Sequence, residues 1–181
     1  MLIVILYVDD MFVTGTNEEQ IEAFMAKLNS SFNMSNLGLL HYFLGMEFKQ
    51  CNDGNVIKQA KYIQSLLKRF NMEDCKPIST PAEPGVKLSL HDQGEPFDTT
   101  LYAQAVGCLI YLCNTRPDIQ YSVSQMSKFM HSPSTKHWQA IKRIFRYLKG
   151  TMHFGLFYSK GGQFSMLAFS DSDWVGDYDT Q

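Results

Sequence analysis

A chain of 181 residues that is 45% hydrophobic and 13% aromatic can pack a core, which excludes a disordered tail or a low-complexity linker. Its formal net charge of −2, from 16 Lys and Arg against 18 Asp and Glu, excludes a strong overall attraction to nucleic acid or to an anionic membrane, so any cationic surface has to be local. The four cysteines, Cys51, Cys75, Cys108 and Cys113, form no CxxC pair, and reduced thiols in an intracellular protein, cytoplasmic, nuclear or organellar, are expected. The opening apolar run reaches only Val8 before the first acids. That is too short for a membrane span, and it lacks the basic flank and cleavage site of a signal peptide, so no membrane partner is expected. A start inside a strand suggests a piece of something longer.

Leu2 to Val8 is a continuous β-rich run, Asp9-Asp10 interrupt it, and Met11-Phe12-Val13 return to strand character. The simplest geometry is a hairpin with the two acids at or beside its turn. Thr16 with Glu19 reads as a capping box, and Ile21, Phe24, Met25, Leu28 and Phe32 then share one face of an amphipathic helix. His41 to Lys49 alternates, and Asn52-Asp53-Gly54-Asn55 joins it to Val56-Ile57-Lys58 as a second hairpin. Ile63, Leu66, Leu67 and Phe70 mark a further helix. From Cys75 to Pro96 the residues Pro77, Pro81, Pro84, Gly85, Gly94 and Pro96 predict a loop or linker, the best candidate boundary in the chain.

Helices are predicted over Thr99 to Asn114, over Asp118 to Met130 after Arg116-Pro117, and over Thr135 to Lys149, where Gly150 gives a stop. In the last of these Trp138, Ile141, Ile144, Phe145 and Leu148 form the apolar face. Lys136, Lys142, Arg143, Arg146 and Lys149 add cations without one acid, a pattern that suits either a solvated face or contact with a phosphate backbone. Strand character returns at Phe154 to Tyr158 and, after a Gly161-Gly162 turn, at Phe164 to Phe169, before an acidic end.

Two adjacent carboxylates raise one another's pKa unless something cationic compensates, and a divalent metal is the common compensator. Hard cations take oxygen ligands, and carboxylate-held ions serve phosphoryl transfer. The plainer alternative is a pair of ordinary turn aspartates, a residue that turns favour anyway. A phosphorelay receiver also ends its first strand in an acidic pair, but there a helix follows at once, whereas here Met11-Phe12-Val13 continues as strand. Asp171-Ser172-Asp173 followed by Gly176 half-resembles a calcium loop, yet Val175 stands where an oxygen ligand belongs.

Tyr7-Val8-Asp9-Asp10 resembles the catalytic hairpin motif of reverse transcriptases, and the chain resembles the Pol polyprotein of copia-type LTR retrotransposons. The stretches that carry the resemblance, in order, are LYVDDMFVTGT, FNMSNLGLLHYFLGMEF, QAKYIQSLLKRFNMEDCKPISTP, YAQAVGCLIYLCNTRPDIQYSVSQMSKFMHSPSTKHWQAIKRIFRYLKGT and FSDSDWVGD. YVDD alone is a weak signal, and the register of all the stretches together is the specific one.

The resemblance implies an α+β fold. Residues 1–58 would be the C-terminal part of a reverse-transcriptase palm, 59–150 a mostly helical thumb and connection with a Pro-rich linker at 75–98, and 151–181 the start of an RNase H-like domain. It implies RNA-directed DNA synthesis by nucleotidyl transfer, with two Mg²⁺ or Mn²⁺ ions in the complete enzyme. Asp9 and Asp10 would face the metals, Asp9 as the more direct ligand, with Tyr7 and Val8 beside the incoming nucleotide and the primer end. Phe43-Leu44-Gly45 would open a primer-grip hairpin, where a glycine lets backbone approach nucleic acid closely; read without the family, Gly45 could equally be a strand bulge. The cations from Lys136 to Lys149 would track the template-primer backbone, and Asp171 would be the first acidic ligand of the RNase H unit. The implied partners are an RNA template and DNA primer or an RNA–DNA hybrid, dNTP, and the rest of the polyprotein. A third palm carboxylate and the fingers are absent before Met1, so little or no activity is expected of the chain alone. A non-catalytic nucleic-acid-binding protein or a relic derived from a retroelement is the alternative.

Overall fold

The structure, a computed structural model, describes residues 1–90, 94–161 and 167–168. The fold is α+β with antiparallel sheets, and it divides into two compact units, Met1–His41 and Tyr42–Gln181. This division does not follow the boundaries expected at 58 and 150, nor the Pro-rich segment. Asp171, with Asp173, Asp177 and Asp179, lies outside the described residues.

In the first unit strands β1 (Leu2–Tyr7) and β2 (Asp10–Gly15) pair antiparallel from Leu2↔Gly15 to Tyr7↔Asp10, which leaves Val8 and Asp9 as the hairpin loop. The helix α1 (Glu18–Ser31) begins one residue later than a Thr16 cap would allow. Asn17 is the N-cap, its side chain accepting from the Gln20 N–H at 3.2 Å. Thr16 is committed elsewhere: its hydroxyl accepts from the Met1 ammonium at 3.0 Å, and its N–H reaches the Met1 carbonyl at 3.1 Å, closing the open end of the hairpin. Glu18 and Glu19 in the first turn suit the helix dipole. Ile21, Phe24, Met25 and Leu28 are half-buried as a stripe, whereas Phe32 is the extended C-cap and stays exposed. Two strands and one helix supply too little cover to bury any of them fully.

The second unit holds the core. Helices α2 (Ala60–Arg69), α3 (Thr99–Leu112), α4 (Gln120–Ser127) and α5 (Thr135–Gly150) pack Ile63, Leu67, Val106, Leu109, Val123, Ile141, Ile144 and Phe145 out of solvent. Each predicted apolar face is the buried one. Asp98 caps α3, accepting from Thr100 and Leu101 N–H at 2.9 and 3.0 Å. The helix expected from Asp118 instead starts as a 3₁₀ turn, Pro117–Ile119, and α4 ends at Ser127.

Beside the helices lies a sheet of order β3-β4-β5-β6, from β3 (Tyr42–Phe43), β4 (Met46–Cys51), β5 (Gly54–Lys58) and β6 (Gly155–Ser159). The run His41 to Lys49 is therefore not one strand: it folds back at Leu44-Gly45, with φ of 50° and 75°. The strand after α5 pairs with β5, from Lys58↔Gly155 to Gly54↔Ser159, which ties residues 155–159 to the second hairpin. The segment between α2 and α3 has no helix or named strand among its described residues, as predicted, but it is packed rather than free: Pro96 bridges to Ser134, and Phe97 stacks on Trp138 at 4.7 Å.

Candidate metal-binding hairpin and nucleic-acid interface

The hairpin tip carries Tyr7, Val8, Asp9 and Asp10, all of them exposed. Val8 has φ 53° and Asp9 does not share a positive φ, the φ pattern of a type II′ loop, whose first central residue is ordinarily glycine. A β-branched residue there is strained, by about 1–3 kcal/mol. The tip offers oxygen donors of the kind hard divalent cations take, and the fit is one of chemistry rather than number. Among the described residues no group of three or more His, Cys, Asp or Glu could hold a metal ion, so Asp9 and Asp10 supply only part of a coordination shell. No described helix is long and apolar enough to cross a membrane.

In the second unit Phe43, Leu44 and Gly45 are half-buried. The Tyr111 hydroxyl of α3 donates to the Leu44 carbonyl oxygen, so a short turn is tied to a helix distant in sequence. A Cβ on Gly45 would stand 2.6 Å from that hydroxyl, and its φ of 75° is left-handed. Turn formation and close approach both require glycine, and the residue is a turn rather than a bulge. Tyr62 meets the Tyr111 ring edge-on at 5.0 Å, and burial, then its hydrogen bond with Cys108, pushes the Tyr62 phenol up.

The cations of α5 are not alike. Lys136 and Lys142 are exposed, while Arg143, Arg146 and Lys149 are half-buried. Arg143 donates to the Thr80 hydroxyl at 3.0 Å and pairs with Glu83 at 3.6 Å; Arg146 Nε donates to the Lys76 carbonyl at 2.7 Å. Both arginines thus hold the Pro-rich segment against the helix. The N-terminus of α5 fixes the other end of that segment. Ser134 and His137 form a reciprocal cap, His137 Nδ1 accepting from the Ser134 N–H at 3.0 Å, and the Nε2–H tautomer then donates to the Ser89 carbonyl at 3.2 Å.

Sequence reasoning missed Arg116. It is 1% exposed and forks onto Asp118, while its other donors reach the Thr151 carbonyl and hydroxyl at 2.9 and 2.7 Å. The Tyr147 hydroxyl completes the group by donating to Asp118 at 2.8 Å, and the cluster lines an open cleft of about 250 Å³ with Phe154 and Leu156. The available signal was local: Arg and Asp two residues apart across a proline can close an ion pair within one turn.

A family model described as reverse transcriptase (RNA-dependent DNA polymerase) matches residues 1–84. The chain is 45% identical to the retrovirus-related Pol polyprotein from transposon RE1 of Arabidopsis thaliana, over 97% of this chain and 12% of that polyprotein. With the corresponding polyprotein from transposon TNT 1-94 of Nicotiana tabacum it shares 37% identity over 99% of this chain and 14% of the relative. An uncharacterized mitochondrial protein of Arabidopsis thaliana is 39% identical over 95% of this chain and 71% of its own length. The chain thus spans about an eighth of the length of the curated Arabidopsis thaliana Pol polyproteins it matches, 12% of each. No solved structure matches it significantly. On these similarities, carried across nearly its whole length, the chain belongs to the reverse transcriptase family of copia-type retrotransposon Pol polyproteins.

Proposed function

We propose that the chain serves RNA-directed DNA synthesis as part of a longer Pol polyprotein, in an intracellular setting. The observation that carries this reading is the pair of exposed carboxylates, Asp9 and Asp10, at the tip of a tight hairpin inside the stretch that the reverse transcriptase model matches. Those two residues would hold Mg²⁺ or Mn²⁺, which when bound supplies charge neutralisation for nucleotidyl transfer. Tyr7 and Val8 would flank dNTP and the primer end. The Phe43-Leu44-Gly45 turn, held by Tyr111, would position the primer, and the α5 cations would contact the backbone of the RNA template and DNA primer. Asp171 would belong to an RNase H-like unit.

Primer extension tests the reading. The chain alone is expected to give nothing above background, because it supplies only Asp9 and Asp10 of the carboxylates needed, while a Pol polyprotein carrying this segment is expected to lose extension with Asp9→Asn. Extension by the polyprotein that survives Asp9→Asn would refute the assignment, and robust Mg²⁺-dependent extension by the chain alone would refute its dependence on the rest.

A second reading, a non-catalytic nucleic-acid-binding or relic protein derived from a retroelement, is favoured by the similarity to a mitochondrial protein of which the chain covers 71%. Its nucleic-acid-binding form predicts salt-dependent binding to an RNA–DNA hybrid that is lost when Lys142, Arg143 and Arg146 are neutralised together. Absent or salt-insensitive binding would sink it.

A further inference from the structure

Residues 76–83 occupy the guanidinium groups that the cationic face of α5 would present to a phosphate backbone. Arg146 Nε is on the Lys76 carbonyl at 2.7 Å, and the Ile78 N–H returns to the Arg146 carbonyl at 3.4 Å. Arg143 reaches a hydroxyl oxygen, Thr80, at 3.0 Å and a carboxylate oxygen, Glu83, at 3.6 Å. Carbonyl, hydroxyl and carboxylate oxygens stand there in the place of phosphate oxygens.

The fit of this segment to the helix is incomplete in its middle. Glu83 is 62% exposed, so its pair with Arg143 is a solvent-screened one of little strength. Arg143 Nε is buried yet has no hydrogen-bond partner among the described residues, although a guanidinium can bind a phosphate bidentately and use that donor. Residues 82–87 are exposed throughout. The ends are different: Ile78 and Leu88 pack against the core, and the Ser89 carbonyl is held by His137.

We infer that residues 79–87 are a displaceable cover over a phosphate-binding site at Arg143, with the Glu83 carboxylate occupying Arg143 in the free protein and yielding it to a phosphate of an RNA–DNA hybrid. The inference rests on the reading of α5 as a nucleic-acid face and adds to it a competitor built into the chain. The exchange trades one anion for another on the same guanidinium and releases Glu83 to water.

Hybrid affinity, measured by fluorescence anisotropy at low and moderate salt, tests this on the whole chain in wild type, in Glu83→Gln and in Glu73→Gln. The last makes the same charge change at an exposed acid outside the cover. Glu83→Gln is expected to tighten binding about three- to tenfold, the scale of one recovered phosphate contact, and Glu73→Gln less than about twofold. Hydrogen exchange gives an independent readout: the Val86 N–H, on the Glu83 carbonyl at 3.3 Å, is expected to exchange faster once hybrid is bound. Equal tightening by the two variants, or unchanged Val86 exchange on a bound complex, would overturn the cover while leaving the nucleic-acid reading in place. No salt-dependent binding by wild type or by Glu83→Gln would overturn both.

Discussion

Arg116 and Asp118 meet fork to fork, Nε on Oδ1 at 2.9 Å and a terminal nitrogen on Oδ2 at 2.7 Å. The pair joins the 3₁₀ turn to α5 and to the lead-in of β6, because Arg116 also holds Thr151 at the end of α5 and lies 5.6 Å from the centroids of both the Tyr147 and Phe154 rings. A buried guanidinium carries a large desolvation cost that only such complete pairing offsets. Arg116→Ala removes the donors and leaves Asp118 and the Thr151 carbonyl without them. A loss of about 3–5 kcal/mol in urea unfolding followed by helical circular dichroism is expected. Arg116→Lys keeps the charge but cannot fork, and should recover less than half of that loss. A loss below about 1 kcal/mol for Arg116→Ala would show that the cluster does not tie α5 to the 3₁₀ turn.

The same cluster sets a pH dependence. Burial opposes ionisation of Asp118, but hydrogen bonds from Arg116 and Tyr147, and the Arg116 charge, outweigh it and hold the carboxyl below its usual range. Because the folded value is the lower one, the stabilisation is in place above the ordinary carboxylate pKa of about 3.9 and is lost as pH falls through the folded value. Tyr147 is pushed up, by burial first and then by Asp118, so its contribution is present below the ordinary phenol pKa of about 10 and is lost as pH rises through the folded value. Asp118→Asn should flatten the acid limb of a stability profile, and Tyr147→Phe the alkaline limb. Unchanged limbs in both variants would remove the cluster from the pH response.

Local patterns were legible in the sequence, and contacts between distant segments were not. Helix α5 was readable because Trp138, Ile141, Ile144, Phe145 and Leu148 repeat at helical spacing, and all of them are buried. Asp9 and Asp10 at a turn were readable because apolar strand residues flank them on both sides. The Leu44-Gly45 turn was not, since its flanks alternate like one strand and Leu-Gly lacks the Asn-Gly or Asp-Gly signature of a tight hairpin. Arg143 and Arg146 illustrate the other limit: a cationic stripe shows which residues share a face, but the segment that returns to cover it comes from 76–83, and such long-range packing leaves no period in the sequence. Beyond its local pair with Asp118, Arg116 was hidden for the same reason, because the Thr151 oxygens it donates to and the Tyr147 ring it lies over are distant in the chain.

Val8 makes the hairpin tip a test of strain. Its φ of 53° costs an L-residue about 1–2 kcal/mol, more for a β-branched one, while glycine pays only its greater unfolded entropy of roughly 0.5–1 kcal/mol. The strain is the larger quantity, so Val8→Gly should stabilise the first unit by about 0.5–1 kcal/mol, seen as slower amide exchange across the Leu6↔Met11 and Tyr7↔Asp10 pairs. Slower exchange with unchanged hybrid binding would make the valine a residue kept against stability. Faster exchange would mean that the loop does not hold Val8 in the left-handed region.

Gly45 and Tyr111 should behave as one site. An alanine at 45 would carry the left-handed φ of 75° and place its Cβ 2.6 Å from the Tyr111 hydroxyl oxygen, so Gly45→Ala should cost about 2–3 kcal/mol. Tyr111→Phe gives up the hydrogen bond to the Leu44 carbonyl, at about 1 kcal/mol, and in doing so removes the atom that the new Cβ would meet. The double variant should therefore lose about 1 kcal/mol less than the sum of the single changes, which a double-mutant cycle in urea unfolding can read. Strict additivity would show that the backbone conformation alone accounts for the glycine. A coupling larger than the cost of Tyr111→Phe itself would show that the hydroxyl wall, rather than the φ angle, is what keeps position 45 a glycine.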